Sequence, residues 1–238
     1  QMNNNKIPIL TYHSISNEKS FNSINVSEFK KQISYFKEKK FDSIHINETN
    51  AQIKNKIILT FDDGYKDINT HALPILKEYN FKAICFIVSN HIGKNNIWDK
   101  HHKKYQKKEL MSKNDINEWL NNDMLIGSHS HNHFNLSKLD NNKLNREINF
   151  SKDVLQETFS TKVSSFCYPY GKIDYHSHSI VKKSYDYAFT TNRSRYIYGK
   201  HDPHLLPRID MGTNTNTFKI FLKLKTFYED IKFIKNEI

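Results

Sequence analysis

Short apolar runs recur along the chain and alternate with stretches whose apolar residues repeat at helical spacing. Ile7–Thr11, Phe41–Ile46, Ile57–Phe61, Ala83–Val88, Met124–Ser128, Ser164–Cys167 and Tyr187–Thr191 read as strands, with a weaker one at Leu205–Ile209. Between them, Phe29, Ile33 and Phe36 share one face of a helix that Ser27 can cap. A second helix is expected from about Asp67 to Tyr79, a third after Ser112, a fourth with Leu144, Ile148 and Leu155 on one stripe, and a fifth from near His176. This alternation predicts an α/β fold with a largely parallel sheet. Seven or eight such units suit a closed or distorted barrel, in which the chemistry gathers just past the C-terminal ends of the strands.

The length, 238 residues, suits a single domain, with the barrel over residues 7–215 and a C-terminal amphipathic helix over 216–238 packed on it. That helix sets Ile220, Leu224, Phe227, Ile231 and Ile234 on one stripe. On its other side lie Phe218, Leu222 and Phe233 among Lys219, Lys223, Lys225 and Lys232. A basic helix with surplus apolar side chains fits either an anionic membrane surface or another subunit.

Three polar clusters fall just after predicted strands. In Thr60-Phe61-Asp62-Asp63-Gly64, two adjacent carboxylates are costly unless one binds a cation or shares a proton, and a cation on one leaves the other as a base. In His129-Ser130-His131-Asn132-His133, His129 and His133 are spaced to share one face of a helical turn, while His131 points elsewhere. One Asp and two His make an open three-ligand site, the arrangement of catalytic rather than structural zinc. A spare carboxylate beside such a site is a hydrolase pattern. The third cluster is Tyr168-Pro169-Tyr170-Gly171.

These stretches, with the opening Leu10-Thr11-Tyr12-His13-Ser14-Ile15, resemble the polysaccharide deacetylases, or family-4 carbohydrate esterases, with chitooligosaccharide deacetylase-like domains. The branch that deacetylates poly-N-acetylglucosamine is the most similar, and the resemblance runs from Ile7 to Met211. It implies a distorted (β/α) barrel of about seven strands and a metal-dependent N-deacetylase acting on an N-acetylhexosamine unit of a glycan or glycan precursor. By position it implies Asp62 as general base, Asp63, His129 and His133 as ligands of one divalent ion (zinc first, nickel or cobalt as alternatives), and the Tyr170 backbone N–H as oxyanion donor.

The chain also departs from the pattern. Many members carry an arginine three residues before the tyrosine of the third motif, where this chain has Cys167; Arg208, in Leu205-Leu206-Pro207-Arg208-Ile209, is expected to supply that cation beside Asp62. The usual terminal histidine acid is missing, since none follows His204, which leaves His13 and His204 as substitutes. These departures motivate a second reading, a catalytically weakened barrel that binds carbohydrate.

Composition adds less. Cys85 and Cys167 lie in predicted strands and read as small core residues. Mean hydropathy is −0.74 and no apolar run is long enough for a membrane span. No leader pattern is visible at Gln1-Met2-Asn3, so the expected location is cytoplasmic, peripheral at the inner membrane face if the C-terminal helix binds there. The net charge of +11 suits an anionic partner, yet no basic-and-aromatic module of a nucleic-acid binder is present, so no nucleic acid is expected. The segment Lys94–Lys108, with Trp98, His101, His102 and six lysines, follows a predicted strand and is expected to overhang the barrel mouth, where it would suit a sugar carrying an acidic group.

Overall fold

The computed structural model describes residues 6–18, 20–49, 53–212, 215 and 217–225. Seven strands lie in one parallel sheet: β1 (Ile9–Tyr12), β2 (Lys56–Phe61), β3 (Ile84–Ile87), β4 (Leu125–Ser128), β5 (Ser165–Cys167), β6 (Tyr187–Phe189) and β7 (Ile209–Asp210), ordered β6-β5-β4-β3-β2-β1-β7. Each of β2 to β6 lies beside its predecessor in the chain, as strand–helix–strand units dictate. The predicted strand Leu205–Ile209 is displaced: Leu206 bridges Phe189 of β6, and two residues after Pro207 the chain pairs Ile209 with Leu10 of β1. One segment thus touches both edges and curls the sheet into a distorted barrel.

Phase along the strands decides what faces the barrel interior. Ile9, Ile58, Ile84, Phe86, Cys167, Phe189 and Leu206 pack together inside, while Leu10, Leu59, Cys85, Ile87, Phe166 and Ala188 face the helices. Continuing the same period of two, Thr60 and Asp62 of the β2 segment point inward. Gly127 of β4 makes room for the interior: a Cβ there would lie 2.5 Å from the Phe86 ring.

Other predicted boundaries shift for local reasons. Lys6–Ile7 pairs antiparallel with Tyr196–Ile197 before Pro8 interrupts, so β1 starts at Ile9. Phe41–Ile46 keeps only Asp42–Ser43 as strand, paired with the start of β2. Helix α1 (Val26–Glu38) is capped by Asn25, not Ser27; the extended backbone is at Asn25, and its side chain accepts from the Ser27 N–H at 2.9 Å. Ser112 does cap its helix, Lys113–Leu120, in a capping box with Asp115. The predicted helix from Asp67 to Tyr79 is a π-helical turn, Ile68–Ala72, running into α-helix Leu73–Tyr79. The stripe of Leu144, Ile148 and Leu155 is buried across a similar π-turn, Arg146–Phe150.

Of the C-terminal helix, Thr217–Lys225 is described, with Ile220 and Leu224 in the core. Lys223 does not belong to a free basic face: it is buried, its ammonium donating to the Asp210 carbonyl and, at 3.2 Å, to Thr215 Oγ1. Phe221 is exposed. The side chain of Phe218, and all of Phe227, Ile231, Lys232, Phe233 and Ile234, lie outside the described residues. Among the described residues no helix is long and apolar enough to cross a membrane.

Candidate active site

The C-terminal ends of β2, β4 and β5 bring the three polar clusters to one mouth. Backbone conformation does much of the placing. Asp63 (φ 71°), Ser130 (φ 64°), His133 (φ 60°) and Tyr170 (φ 58°) all have left-handed backbones, which cost non-glycine residues of order 1 kcal/mol or more each and gather at functional sites. His129 and His133 therefore meet across an irregular loop, not on the helical turn their spacing suggested. Gly171 (φ 62°) follows Tyr170 in the same conformation and packs on Thr191, where a Cβ would come within 1.9 Å of Oγ1.

His129 Nε2 and His133 Nε2 lie 3.4 and 3.3 Å from one atom, Asp63 Oδ1. His129 Nδ1 is 2.8 Å from the carbonyl oxygen of Cys167, which can only accept, so Nδ1 carries a proton and Nε2 is the nitrogen turned toward Asp63. Buried lone pairs converging in this way repel unless a cation or proton stands among them. Two imidazoles and a carboxylate, all ligand atoms within 4.8 Å of one another, are a donor set suited to zinc or a similar ion. The residues fit such a metal.

A second grouping, Asp62, His129 and Cys167, also satisfies distance. Its chemistry does not suit a cation. Burial pushes the Cys167 thiol up, keeping it neutral, and Arg208 Nη2 already sits 3.1 Å from its sulfur. Cys167 is therefore part of the site's wall, beyond the packing role its strand position suggested, whereas Cys85 lies in the layer facing the helices.

Asp62 is held by Arg208 through a two-pronged pair, Nη1 to Oδ1 and Nη2 to Oδ2, each 2.7 Å. The guanidinium is itself fixed by Nε–H to the Thr190 carbonyl (2.9 Å) and Nη1 to Thr60 Oγ1 (3.1 Å). Burial alone would raise the Asp62 carboxyl; the adjacent Arg208 charge outweighs it and holds the group below the usual carboxylate range. Asp62 is thus an ionised carboxylate adjoining, but outside, the Asp63–His129–His133 cluster.

The substitutes for the missing acid separate clearly. His13 Nε2 lies 3.9 Å from Asp62 Oδ2 and is a third exposed (34%), open to a ligand in the mouth. His204 is near the opposite end of the barrel, bonded to the Tyr185 carbonyl at 2.8 Å and to Asp202. The Tyr170 backbone N–H has no acceptor among the described residues, and its half-exposed ring meets His133 edge-on at 4.6 Å.

Residues 94–108 do reach the mouth: the Trp98 ring stacks on His133 at 4.6 Å. Lys108, however, is not part of a cationic surface. It is buried, 2.7 Å from Ser14 Oγ and 3.3 Å from Asp67 Oδ2, and Asp67 also accepts from the Ile15 N–H. This buried pair ties the segment that carries His13 to the segment that carries Trp98.

Sequence reasoning missed Glu147. It is 2% exposed on the Arg146–Phe150 π-turn, and its carboxylate accepts from the backbone N–H groups of His131 and Asn132 (3.1 and 2.7 Å) and from Asn132 Nδ2 (2.6 Å). His131, bonded to Ser89 Oγ at 2.8 Å, stays out of the cluster. The only available signal was a glutamate beside the apolar stripe of Leu144 and Ile148. Glu147→Ala is expected to lower stability by on the order of 3 kcal/mol through lost charge-assisted bonds, read as a lower unfolding midpoint. An unchanged midpoint would show that the loop holds itself.

A profile of the polysaccharide deacetylase family matches residues 49–189, more than half of the chain. The chain is 26% identical over 214 residues to the poly-β-1,6-N-acetyl-D-glucosamine N-deacetylase of Staphylococcus aureus (strain MRSA252), covering 83% of this chain and 71% of that protein. In fold it is similar to a polysaccharide deacetylase from Bacillus cereus (TM-score 0.80, 20% identity, 92% of this chain and 69% of that one). It is also similar to the deacetylase PplD of Streptococcus pyogenes, solved in complex with acetate (TM-score 0.78, 22% identity, 92% and 98%). The match takes in both the carboxylate pair at the end of β2 and the histidine loop after β4, and on it the chain belongs to the polysaccharide deacetylase family.

Proposed function

We propose that the chain is a metal-dependent N-deacetylase that removes acetyl from an N-acetylhexosamine unit of a glycan or glycan precursor. The observation that carries this reading is Asp62: buried, ionised through Arg208, and adjoining a three-ligand cluster to which it does not belong. Carbohydrate binding alone has no use for a spare ionised base. The Arg208–Asp62 pair also speaks against the weakened-barrel reading, because a guanidinium has the place that Cys167 leaves unfilled.

Asp63, His129 and His133 would hold one divalent ion, zinc by preference of the donor set, which when bound polarises an acetyl carbonyl and acidifies water beside it. Asp62 accepts the proton of the attacking water as general base. The Tyr170 N–H donates to the carbonyl oxygen as negative charge builds there, an interaction worth about 3 kcal/mol in such sites. His13 gives a proton to the departing sugar nitrogen as the C–N bond breaks, leaving acetate and an amino sugar. Arg208 holds Asp62, and Lys108 with Asp67 holds the His13 segment.

Acetate release from N-acetylglucosamine oligosaccharides tests the reading. The metal-loaded protein is expected to release acetate, to stop after chelation, and to recover on adding zinc, nickel or cobalt. Binding of the oligosaccharide without acetate release in any metal form would favour the binding protein instead.

A further inference from the structure

The six lysines of residues 94–108 divide into different kinds. Lys108 is buried against Asp67, and Lys94 reaches Asn90. The remaining Lys100, Lys103, Lys104 and Lys107 are exposed, and none forms an ion pair among the described residues, although the charge of Lys107 acts on Glu109, which pairs with Lys66. Some surface lysines elsewhere, such as Lys30, Lys66 and Lys82, meet a carboxylate at 2.8 Å, while others, such as Lys40, Lys113 and Lys172, are exposed without one among the described residues; what sets residues 100–107 apart is the crowding of four lysines beside the mouth. The one acid of the segment, Asp99, does not offset the tip, because it turns inward to accept from Tyr65 Oη (3.3 Å) and Asn96 Nδ2 (3.2 Å).

The tip is held in place at the mouth. Asn95 bridges Glu109 and Tyr65 bridges Leu110 at its base, the Phe21 ring stacks on His102 at 4.1 Å, and Trp98 rests on His133. Four ammonium groups within eight positions, of which Lys107 lies in the field of a carboxylate (Glu109, itself paired with Lys66), repel one another, and their field extends about 10 Å at moderate salt. A fixed cluster of one sign beside a cleft concentrates ligands of the opposite sign.

We propose that residues 100–107 form a subsite for an anionic group of the glycan, so that the substrate is an N-acetylhexosamine chain whose neighbouring units carry phosphate or carboxylate. This rests on the deacetylase reading above. A neutral polymer supports it less well: each lost acetyl leaves an amine that takes up a proton, and the growing cationic product would be repelled by the tip. Lysine ammoniums are point charges that accept phosphate and carboxylate alike, so the structure assigns the charge and the experiment the group.

The test compares kcat/KM for acetate release from three N-acetylglucosamine oligosaccharides of equal length: neutral, phosphate-bearing and uronate-bearing. At low ionic strength an anionic form is expected to exceed the neutral one by about tenfold or more, with the gap closing at about 0.5 M NaCl. In the variant Lys100→Gln/Lys103→Gln/Lys104→Gln/Lys107→Gln the ratio should fall to near one, with an unchanged unfolding midpoint. Equal kcat/KM for neutral and anionic forms, or a preference that survives in the variant, would overturn the subsite. If no oligosaccharide releases acetate, the deacetylase reading fails, and equilibrium binding of the two anionic oligosaccharides decides the subsite by itself. Salt-sensitive binding lost in the quadruple variant upholds it. No binding, or binding only to phosphatidylglycerol–phosphatidylcholine vesicles, overturns it.

Discussion

Asp62→Asn is expected to keep its metal and lose on the order of 10²-fold or more in acetate release, whereas Asp63→Asn is expected to lose the metal itself. The two carboxylates are neighbours in the chain but not in role, and backbone geometry separates them. Asp62 continues the inward phase of Ile58 and Thr60 and meets Arg208. One residue later the backbone turns left-handed (φ 71°), which swings Asp63 toward the two histidines. Asn at position 62 retains one oxygen acceptor but removes the counter-charge of a buried guanidinium. That variant should therefore also lose about 3 kcal/mol of stability, within the range for breaking a buried pair. Metal content by atomic emission, read beside kcat, distinguishes the roles. Equal metal loss in both variants would show that the carboxylates share the ion.

How much of this was legible beforehand follows from what kind of interaction fixes each part. Strand phase is local: the alternation through Ile58-Leu59-Thr60-Phe61-Asp62 is written in the residues, so the inward direction of Asp62 and the barrel layers were readable. The histidine pair was found for a partly mistaken reason. Its spacing fits a helical turn, but the rings meet because Ser130 and His133 take left-handed backbones and because Glu147, 14 residues beyond His133, pins the loop. A carboxylate that serves distant backbone N–H groups leaves no spacing to detect. The same holds for Lys108: within its segment it looks like one more surface lysine, and only the three-dimensional meeting with Ser14 and Asp67 shows it to be buried. The C-terminal helix misled in a similar way, since Lys223 reads as part of a basic face yet its ammonium reaches a carbonyl at the end of β7. Helical periodicity describes faces; it does not say that a long cationic side chain can end on a buried acceptor.

Arg208→Lys is expected to retain the metal and lose on the order of 10–100-fold in kcat, the usual cost of removing a partner that orients a group at a metal site. Arg208 is 2% exposed and meets Asp62 with both terminal nitrogens at 2.7 Å, while Nε–H holds the Thr190 carbonyl. A lysine ammonium carries the same charge but has a single nitrogen, so it can neutralise Asp62 without fixing both oxygens. The loss should therefore appear in kcat more than in KM, because the carboxylate keeps its charge but not its aim. Arg208→Ala separates charge and shape from fold in a second way. It leaves a cavity where a guanidinium fitted, and added guanidinium ion should restore part of the rate while ammonium should not. Arg208 follows Leu206 in the inward phase of a segment that touches both edges of the sheet, so closing the barrel and delivering the guanidinium to Asp62 are one structural event. Full activity in Arg208→Lys, or equal rescue of Arg208→Ala by ammonium, would mean that charge alone suffices and that the two-pronged geometry has no part in positioning the base.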